Sequence, residues 1–365
     1  MNLSTRHNYT ISTRRLLILA GLAMFLVWFS NDPNRVESIY SSLFYQKWSW
    51  VCRKLTGWLP VSIGDLIYAV VGFRLLIHVA GWIKKLFSNW RRLRFWLMGL
   101  RQLSYSFLCI FIFFYVVWGL NYSRLPVAAK FGFKNKQATK QELVEINQYF
   151  INQCNLNKTM IDTMLLQPFS SDEMLEEAQS AYSNLSIKYE FARYVQASVK
   201  PSLFGSVGDY LGITGYYNPF TGEAQVNTGA PPIEQPFIYC HEMAHQIGFA
   251  KENEANFVGF LACVHSDDPR FRYAACLELY QYANRQLMIK DSAIAKSMNS
   301  FLSPAVKKDL LAIQEHYQAY ENAIEPWVSG MYSIFLMGNR QPGGIKTYGE
   351  VVSMVVAYKK HKGLP

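Results

Sequence analysis

The chain has 365 residues, half of them hydrophobic and 15% aromatic, with a formal net charge of +10, so it carries enough apolar material for a sizeable core. The basic excess is confined to its start: residues 1–103 hold 14 Lys and Arg against Asp32, Glu37 and Asp65, a net +11, which leaves −1 for everything after them. A nucleic-acid partner requires a basic patch on the soluble face, and this distribution excludes that class.

Three apolar stretches open the chain. Residues 16–30 are nearly uninterrupted, residues 61–83 are broken only by Asp65, Arg74 and His78, and residues 103–120 are strongly aromatic and aliphatic. Each approaches the roughly 20 residues a helix needs to cross a hydrocarbon core about 30 Å thick. Ser30-Asn31-Asp32 offers no small-x-small cleavage site, so the first stretch reads as a membrane helix rather than a signal peptide. The expected organisation is a membrane anchor over residues 1–122 and a second domain over residues 123–365. Arg6, Arg14 and Arg15 precede the first span, and Lys84, Lys85, Arg91, Arg92, Arg94 and Arg101 fill the connection between the second and third. The positive-inside rule makes both segments cytoplasmic, which puts residues 31–60 and everything after Asn121 in the periplasm or outside the cell. Asp65, near the outer edge, and Arg74 and His78, four residues apart on one face, read as structural rather than functional.

Residues 123–137 read as a linker leaving the interface. Thr139-Lys140-Gln141-Glu142 then forms a capping-box pattern and opens a helix to about Cys154. Ser170-Ser171-Asp172-Glu173 repeats the pattern for a helix to about Lys188. From Tyr194 to Thr228 the composition turns to Val, Ser, Tyr, Gly and Thr, with turn pairs Asn218-Pro219 and Thr221-Gly222, and predicts two or more strands. Glu223 reads there as a solvated charge.

The stretch Cys240-His241-Glu242-Met243-Ala244-His245-Gln246 follows, flanked at helical spacing by Phe237, Ile238 and Ile247, with Pro236 suited to a first turn. Four residues apart on a helix, His241 and His245 share a face, where two neutral imidazoles can hold one tetrahedral zinc ion. Glu242 points beside that face, placed to take a proton from the attacking water and hand it to a leaving amine. Charged and polar flanks, among them Glu234, Gln235 and Lys251, keep the motif out of a membrane span. A catalytic zinc needs a third protein ligand. Gly248 allows a left-handed turn and a second helix beginning near Glu252, which makes Glu252 and Glu254 the candidates. About 200° apart around a helix, they cannot both face one metal.

Glu252-Asn253-Glu254-Ala255-Asn256 resembles the Glu-x-x-Ala-Asp pattern of gluzincin peptidases, with Asn256 in place of the aspartate. The resemblance implies Glu252 as third ligand, with Glu254 the alternative, and Asn256 as support for a ligand histidine. The short separation of His245 from Glu252 is nearer to metzincin spacing. The whole chain also resembles a bacterial family of membrane-anchored proteins classed only as a domain of unknown function. The likeness lies in the three apolar segments, Trp118-Gly119-Leu120-Asn121-Tyr122, the run from Gly212 to Phe220, and the His-Glu-x-x-His segment. It implies a zinc metallopeptidase without a substrate attached.

Beyond the motif, helices are expected at about residues 269–288, 304–322, 326–336 and 348–360. Cys52, Cys109, Cys154, Cys240, Cys263 and Cys276 form no Cys-x-x-Cys and name no disulfide, and Cys240 and Cys263 read as buried free thiols. Tyr216, Tyr217, Tyr332 and His265 are the polar aromatics that could stabilise an oxyanion, although no motif raises any of them above an ordinary packed aromatic. The expected fold is α+β: a three-helix transmembrane anchor followed by a mainly helical, zincin-like metallopeptidase domain with a small sheet. The expected function is a membrane-anchored zinc-dependent endopeptidase acting on extracytoplasmic proteins or peptides, with Glu242 as general base. A catalytically inactive metal-binding scaffold or binding ectodomain is the alternative.

Overall fold

The computed structural model describes residues 11–134, 136–344 and 349–364. Helix α1 (Thr13–Ser30), capped by Ser12, leads through one turn, α2 (Pro33–Arg35), and a π-helical run, Val36–Phe44, into α3 (Tyr45–Thr56). Helices α4 (Ile63–Asn89) and α5 (Leu93–Val117) follow. Each of α1, α4 and α5 is long and apolar enough to cross a membrane. Helices α4 and α5 extend into the basic connection, because intrahelical hydrogen bonding continues where hydrophobicity stops. Helices α1 and α5 run side by side in one direction: Arg101 donates to Thr13 Oγ1 at one end, and Trp28 and Phe111 line a shared groove toward the other.

Residues 33–56, expected as an external loop, are helical and fold onto the rest of the chain. The expected linker is likewise packed. A 3₁₀ segment, Gly119–Ser123, and the short α6 (Val127–Lys130) carry Val127, Ala128, Phe131 and Phe133 into the main core. A single helical turn is too short to show periodicity, which is why this segment read as a connection.

Helices α7 (Lys140–Thr163) and α8 (Ser171–Lys188) begin at their capping boxes, both fully formed. Helix α7 continues past Cys154, its buried face extending to Asn157. Strand β1 (Val199–Pro201), helix α9 (Gly205–Leu211), and strands β2 (Gly215–Asn218) and β3 (Glu223–Val226) come next. The strands form one sheet in the order β1-β3-β2, with β1 parallel to β3 and β2 antiparallel at the edge.

Glu223 is a correction to the sequence reading: it is fully buried, not solvated. It accepts from Lys200 Nζ at 2.6 Å and from the backbone N–H groups of Ile63 (3.1 Å) and Gly64 (2.5 Å) at the start of α4. A carboxylate there satisfies N–H groups that have no intrahelical partner and faces the positive end of the helix. Asp65 belongs to the same joint. Buried, it accepts from Tyr216 Oη (2.6 Å) and Leu203 N (2.8 Å), a structural role as expected, whereas Arg74 and His78 stand exposed on α4.

Helices α10 (Gln235–Gln246) and α11 (Glu252–Val264) form a hairpin through the centre of the core. Around it lie α12 (Pro269–Lys290), α13 (Ser292–Asn299), α14 (Pro304–Ala319), α15 (Glu325–Gly338) and α16 (Glu350–Lys362). The predicted starts at Pro269 and Pro304 hold, each with Pro in the first turn, and α13 is an addition. Tyr348, the expected start of the last helix, lies outside the described residues. The described residues are therefore mostly helical with one small sheet.

Candidate metal centre

Helix α10 ends where Gly248 takes φ +95°, a backbone conformation that L side chains rarely adopt, and the chain reverses into α11. Every residue of α11 is buried, so its first-turn acids must point into protein. The hairpin brings His241, His245 and Glu252 together, with one ligand atom from each lying within 4.8 Å of the others. His241 Nε2 is 3.1 Å from His245 Nε2 and 3.3 Å from Glu252 Oε2, and His245 Nε2 is 3.7 Å from Glu252 Oε1. Among the described residues this is the one such group.

Glu254 turns elsewhere. Its Oε1 accepts from Val127 N at 3.4 Å and lies 3.7 Å from Lys251 Nζ, the outcome required by the angle between the two acids. Asn256 is buried beside the group, but its side-chain nitrogen has no hydrogen-bond partner, and His241 Nδ1 is likewise unpartnered. The expected support of a histidine by Asn256 is therefore not formed.

The other histidine is supported, from a place the sequence did not suggest. His245 Nδ1 meets the Phe249 carbonyl at 2.7 Å. A carbonyl only accepts, so Nδ1 carries the proton, and a neutral His245 aims its Nε2 lone pair at the group. Arg124 fixes the turn that presents this carbonyl. It donates to Gly248 O (2.9 Å) and to both oxygens of Glu37 (2.9 Å each), with its guanidinium over the Phe249 ring. Lys130 adds a third bond to Glu37. From α3, the Tyr45 hydroxyl lies within hydrogen-bond reach of Gln246 O (3.2 Å), Ser49 donates to the same carbonyl (2.7 Å), and Gln46 donates to Ile247 O (3.0 Å). The Trp118 ring stands edge-on to His245. The segments between and after the three apolar helices thus form the back wall of the site.

Glu242 is 3% exposed, with Oε2 unpartnered. Gly215, the first residue of edge strand β2, lies so near that a Cβ there would fall 2.5 Å from Glu242 Oε1. Of the four oxyanion candidates, Tyr332 comes nearest to the group, its hydroxyl donating to Glu252 Oε1 at 2.6 Å. Tyr216 is engaged by Asp65, and Tyr217 is paired with Tyr45. His265 sits just past the far end of α11, about 20 Å along the helix from Glu252 at 1.5 Å per residue.

Charge and burial reinforce one another here. Burial would push the His245 imidazolium down, but Glu252, and to a lesser degree Glu242, outweigh it and raise it to about 9. Burial would raise Glu252, but His245 and His241 pull it well below the usual carboxylate range. Glu242 is raised by burial, with Glu252 adding and the two histidines opposing. The group therefore stabilises positive charge at its centre, whether a proton or a cation.

The group could hold a metal ion. Zinc bonds of about 2.0–2.1 Å to nitrogen and oxygen would put tetrahedral ligand atoms roughly 3.3 Å apart, against separations of 3.1, 3.3 and 3.7 Å here. All six cysteines are free and none joins the group. No curated protein and no solved structure matches the chain. Residues 40–356 match a family described as protein of unknown function (DUF3810), and the chain belongs to that family.

Proposed function

We propose that the protein is a membrane-anchored, zinc-dependent endopeptidase of zincin-like architecture that hydrolyses peptide bonds of proteins or peptides outside the cytoplasm. The observation that carries this reading is the convergence of His241, His245 and Glu252 beside a buried, unpartnered Glu242 oxygen. His241, His245 and Glu252 would hold the ion. When bound there, zinc would supply Lewis acidity that polarises a substrate carbonyl and makes water a better nucleophile.

The protein's own groups account for the rest. Glu242 Oε2 is free to accept a proton from the attacking water, and its raised pKa suits it to return that proton to the leaving nitrogen as the C–N bond breaks. Its burial excludes competing solvent. Strand β2 lies at the edge of the sheet with Gly215 against Glu242, so a peptide added to this edge would run past the base with its backbone hydrogen-bonded. Tyr332 and the Phe249 carbonyl hold Glu252 and His245 in place.

Sidedness follows from charge. The basic residues of α1 and of the α4–α5 connection gather at the ends of the spans away from the domain, which supports a cytoplasmic N-terminus and an external domain.

The test uses the full chain purified in nanodiscs, with metal content measured beside cleavage of an unstructured protein. The expected result is about one zinc per chain and cleavage that Glu242→Gln lowers by about 10²–10⁴-fold while zinc is retained. Zinc retained by both forms with cleavage by neither would favour the scaffold reading. A wild-type protein that retains no metal would overturn both.

A further inference from the structure

We propose that α15 is a fourth membrane-embedded element, lying along the lipid–water boundary of the domain-side leaflet and covered by phospholipid. Its 14 residues extend about 21 Å, too short to cross a bilayer core of about 30 Å. Its apolar stripe points the wrong way for a soluble helix. Ile324, Trp327, Met331 and Ile334 follow one face at helical spacing and are 64%, 78%, 72% and 66% exposed. The opposite face holds Leu336, fully buried, and Tyr332, 39% exposed but bonded to Glu252. A helix in water buries its apolar stripe; α15 leaves its own in the open, with Leu336 its one buried residue.

Continuity with the spans identifies the occupant. The Phe335 ring packs edge-on against Phe114 in the last turn of α5, with centroids 6.1 Å apart. Just past α15, Arg340 donates to Ser30 Oγ (3.1 Å) and Asn31 Oδ1 (2.8 Å) at the end of α1. Helix α15 is thus anchored at the level where α1 and α5 meet the domain. Glu325, at its first residue, is its one charged side chain, so the stripe between Glu325 and Arg340 carries no charge that lipid would have to desolvate. An outward tryptophan at that depth matches the preference of indole for the membrane interface. Helix α9, which contacts α15, extends the apolar surface with Val207 and Tyr210, each 55% exposed. Interfacial helices bury such a face roughly 5–10 Å into the headgroup–acyl boundary. The inner face of α15 is one hydrogen bond from the candidate metal centre, so this placement sets the centre beside the bilayer surface whether or not the centre hydrolyses peptides.

The experiment uses the full chain in phosphatidylcholine–phosphatidylglycerol nanodiscs with a benzophenone amino acid at Met331 and, in a second variant, at Trp327. Phe107 in α5 serves as the lipid-facing control. Ile289, 83% exposed on α12, serves as the water-facing one. After irradiation, mass spectrometry is expected to find phospholipid adducts at Met331 and Trp327 at yields within a few-fold of Phe107, and none at Ile289. Two outcomes would overturn the proposal: lipid adducts at Phe107 with none at either α15 position, or adducts of α15 to a second copy of the chain. Neither depends on peptidase activity.

Discussion

The α10–α11 hairpin and the back wall behind it meet at the same carbonyls, yet they come from opposite kinds of sequence. The hairpin is a contiguous stretch in which two histidines, a base, a turn glycine and an acid follow one another at spacings set by helix geometry. The wall is assembled from Glu37, Tyr45, Ser49, Trp118 and Arg124, brought from between and after the three apolar helices; Tyr45, Ser49, Trp118 and Arg124 meet hairpin residues more than a hundred positions away, and Glu37 holds Arg124. Local periodicity predicts the first and cannot reach the second. Under the proposed function the hairpin would supply the reacting groups, and the wall would decide how accurately they are held.

The sharpest test of that division neutralises one hairpin side chain whose Oε2 bonds to nothing in the protein. Glu242→Gln keeps the shape of the side chain and removes its basicity. General-base catalysis typically contributes 10²–10⁴-fold, so cleavage is expected to fall by about that factor. Because Glu242 Oε2 has no partner to lose, zinc content and unfolding temperature should stay close to wild type. A variant that keeps most of its activity would remove Glu242 from the chemistry.

The wall should break differently. Arg124→Ala leaves the buried Glu37 carboxylate with Lys130 and a long bond from Ser42, and frees the Gly248 carbonyl. Removing one partner of a buried ion pair costs about 3–5 kcal/mol, and outer-shell losses of this kind weaken metal binding about 10–100-fold. Thermal unfolding of the full chain and competition with a zinc chelator read the two effects separately. Lowered stability with zinc affinity unchanged would show that the wall supports the fold but not the centre.

Proton linkage gives a milder probe of the same wall. Burial would raise the Glu37 carboxyl, but Arg124 and then Lys130 outweigh it and hold it down at about 2. A depressed carboxylate stabilises the fold above its unfolded pKa of about 4.3, and that contribution is lost as pH falls from there toward 2. The unfolding temperature of the wild type should therefore exceed that of Glu37→Gln at pH 6, and the gap should narrow by pH 3. A gap that stays constant over this range would mean that the carboxylate titrates normally.

What the sequence showed of this molecule follows the reach of each signal. The three long apolar helices, the two capping boxes, the Pro269 start and the His241–His245 pair are local patterns, and they stand where they were expected. The angle between Glu252 and Glu254 on one helix shows only that they cannot both face one metal, and the preference for Glu252 comes from the gluzincin resemblance; the hairpin places Glu252 in the group. Glu223, by contrast, looked solvated because its partners, Lys200 and the first turn of α4, meet it only in the folded chain. One faint sign was present. Residues 1–103 contain three acids, and two of them, Glu37 and Asp65, are buried in bonds that join the spans to the domain. An acid that persists where nearly every charge is basic can mark a partner elsewhere in the fold.

The smallest expected effect separates what the wall does by hydrogen bonding from what it does by shape. Tyr45 lies fully buried, with its ring against Gly248 and tilted onto Trp118, and its hydroxyl within reach of Tyr217 Oη (3.0 Å) and Gln246 O (3.2 Å). Tyr45→Phe removes the hydroxyl and keeps the ring. Gln246 O retains its bond from Ser49, so the cost should be that of about one hydrogen bond, roughly 0.5–1.5 kcal/mol. Tyr45→Ala removes the ring as well, and emptying a buried aromatic site costs about 3–5 kcal/mol. If the Tyr45→Phe variant behaves nearly as wild type while the Tyr45→Ala variant loses zinc, the wall positions His245 by filling space behind the turn. If both variants lose zinc equally, the hydroxyl network holds the centre, and the polar residues of α3 belong with the hairpin rather than opposite it.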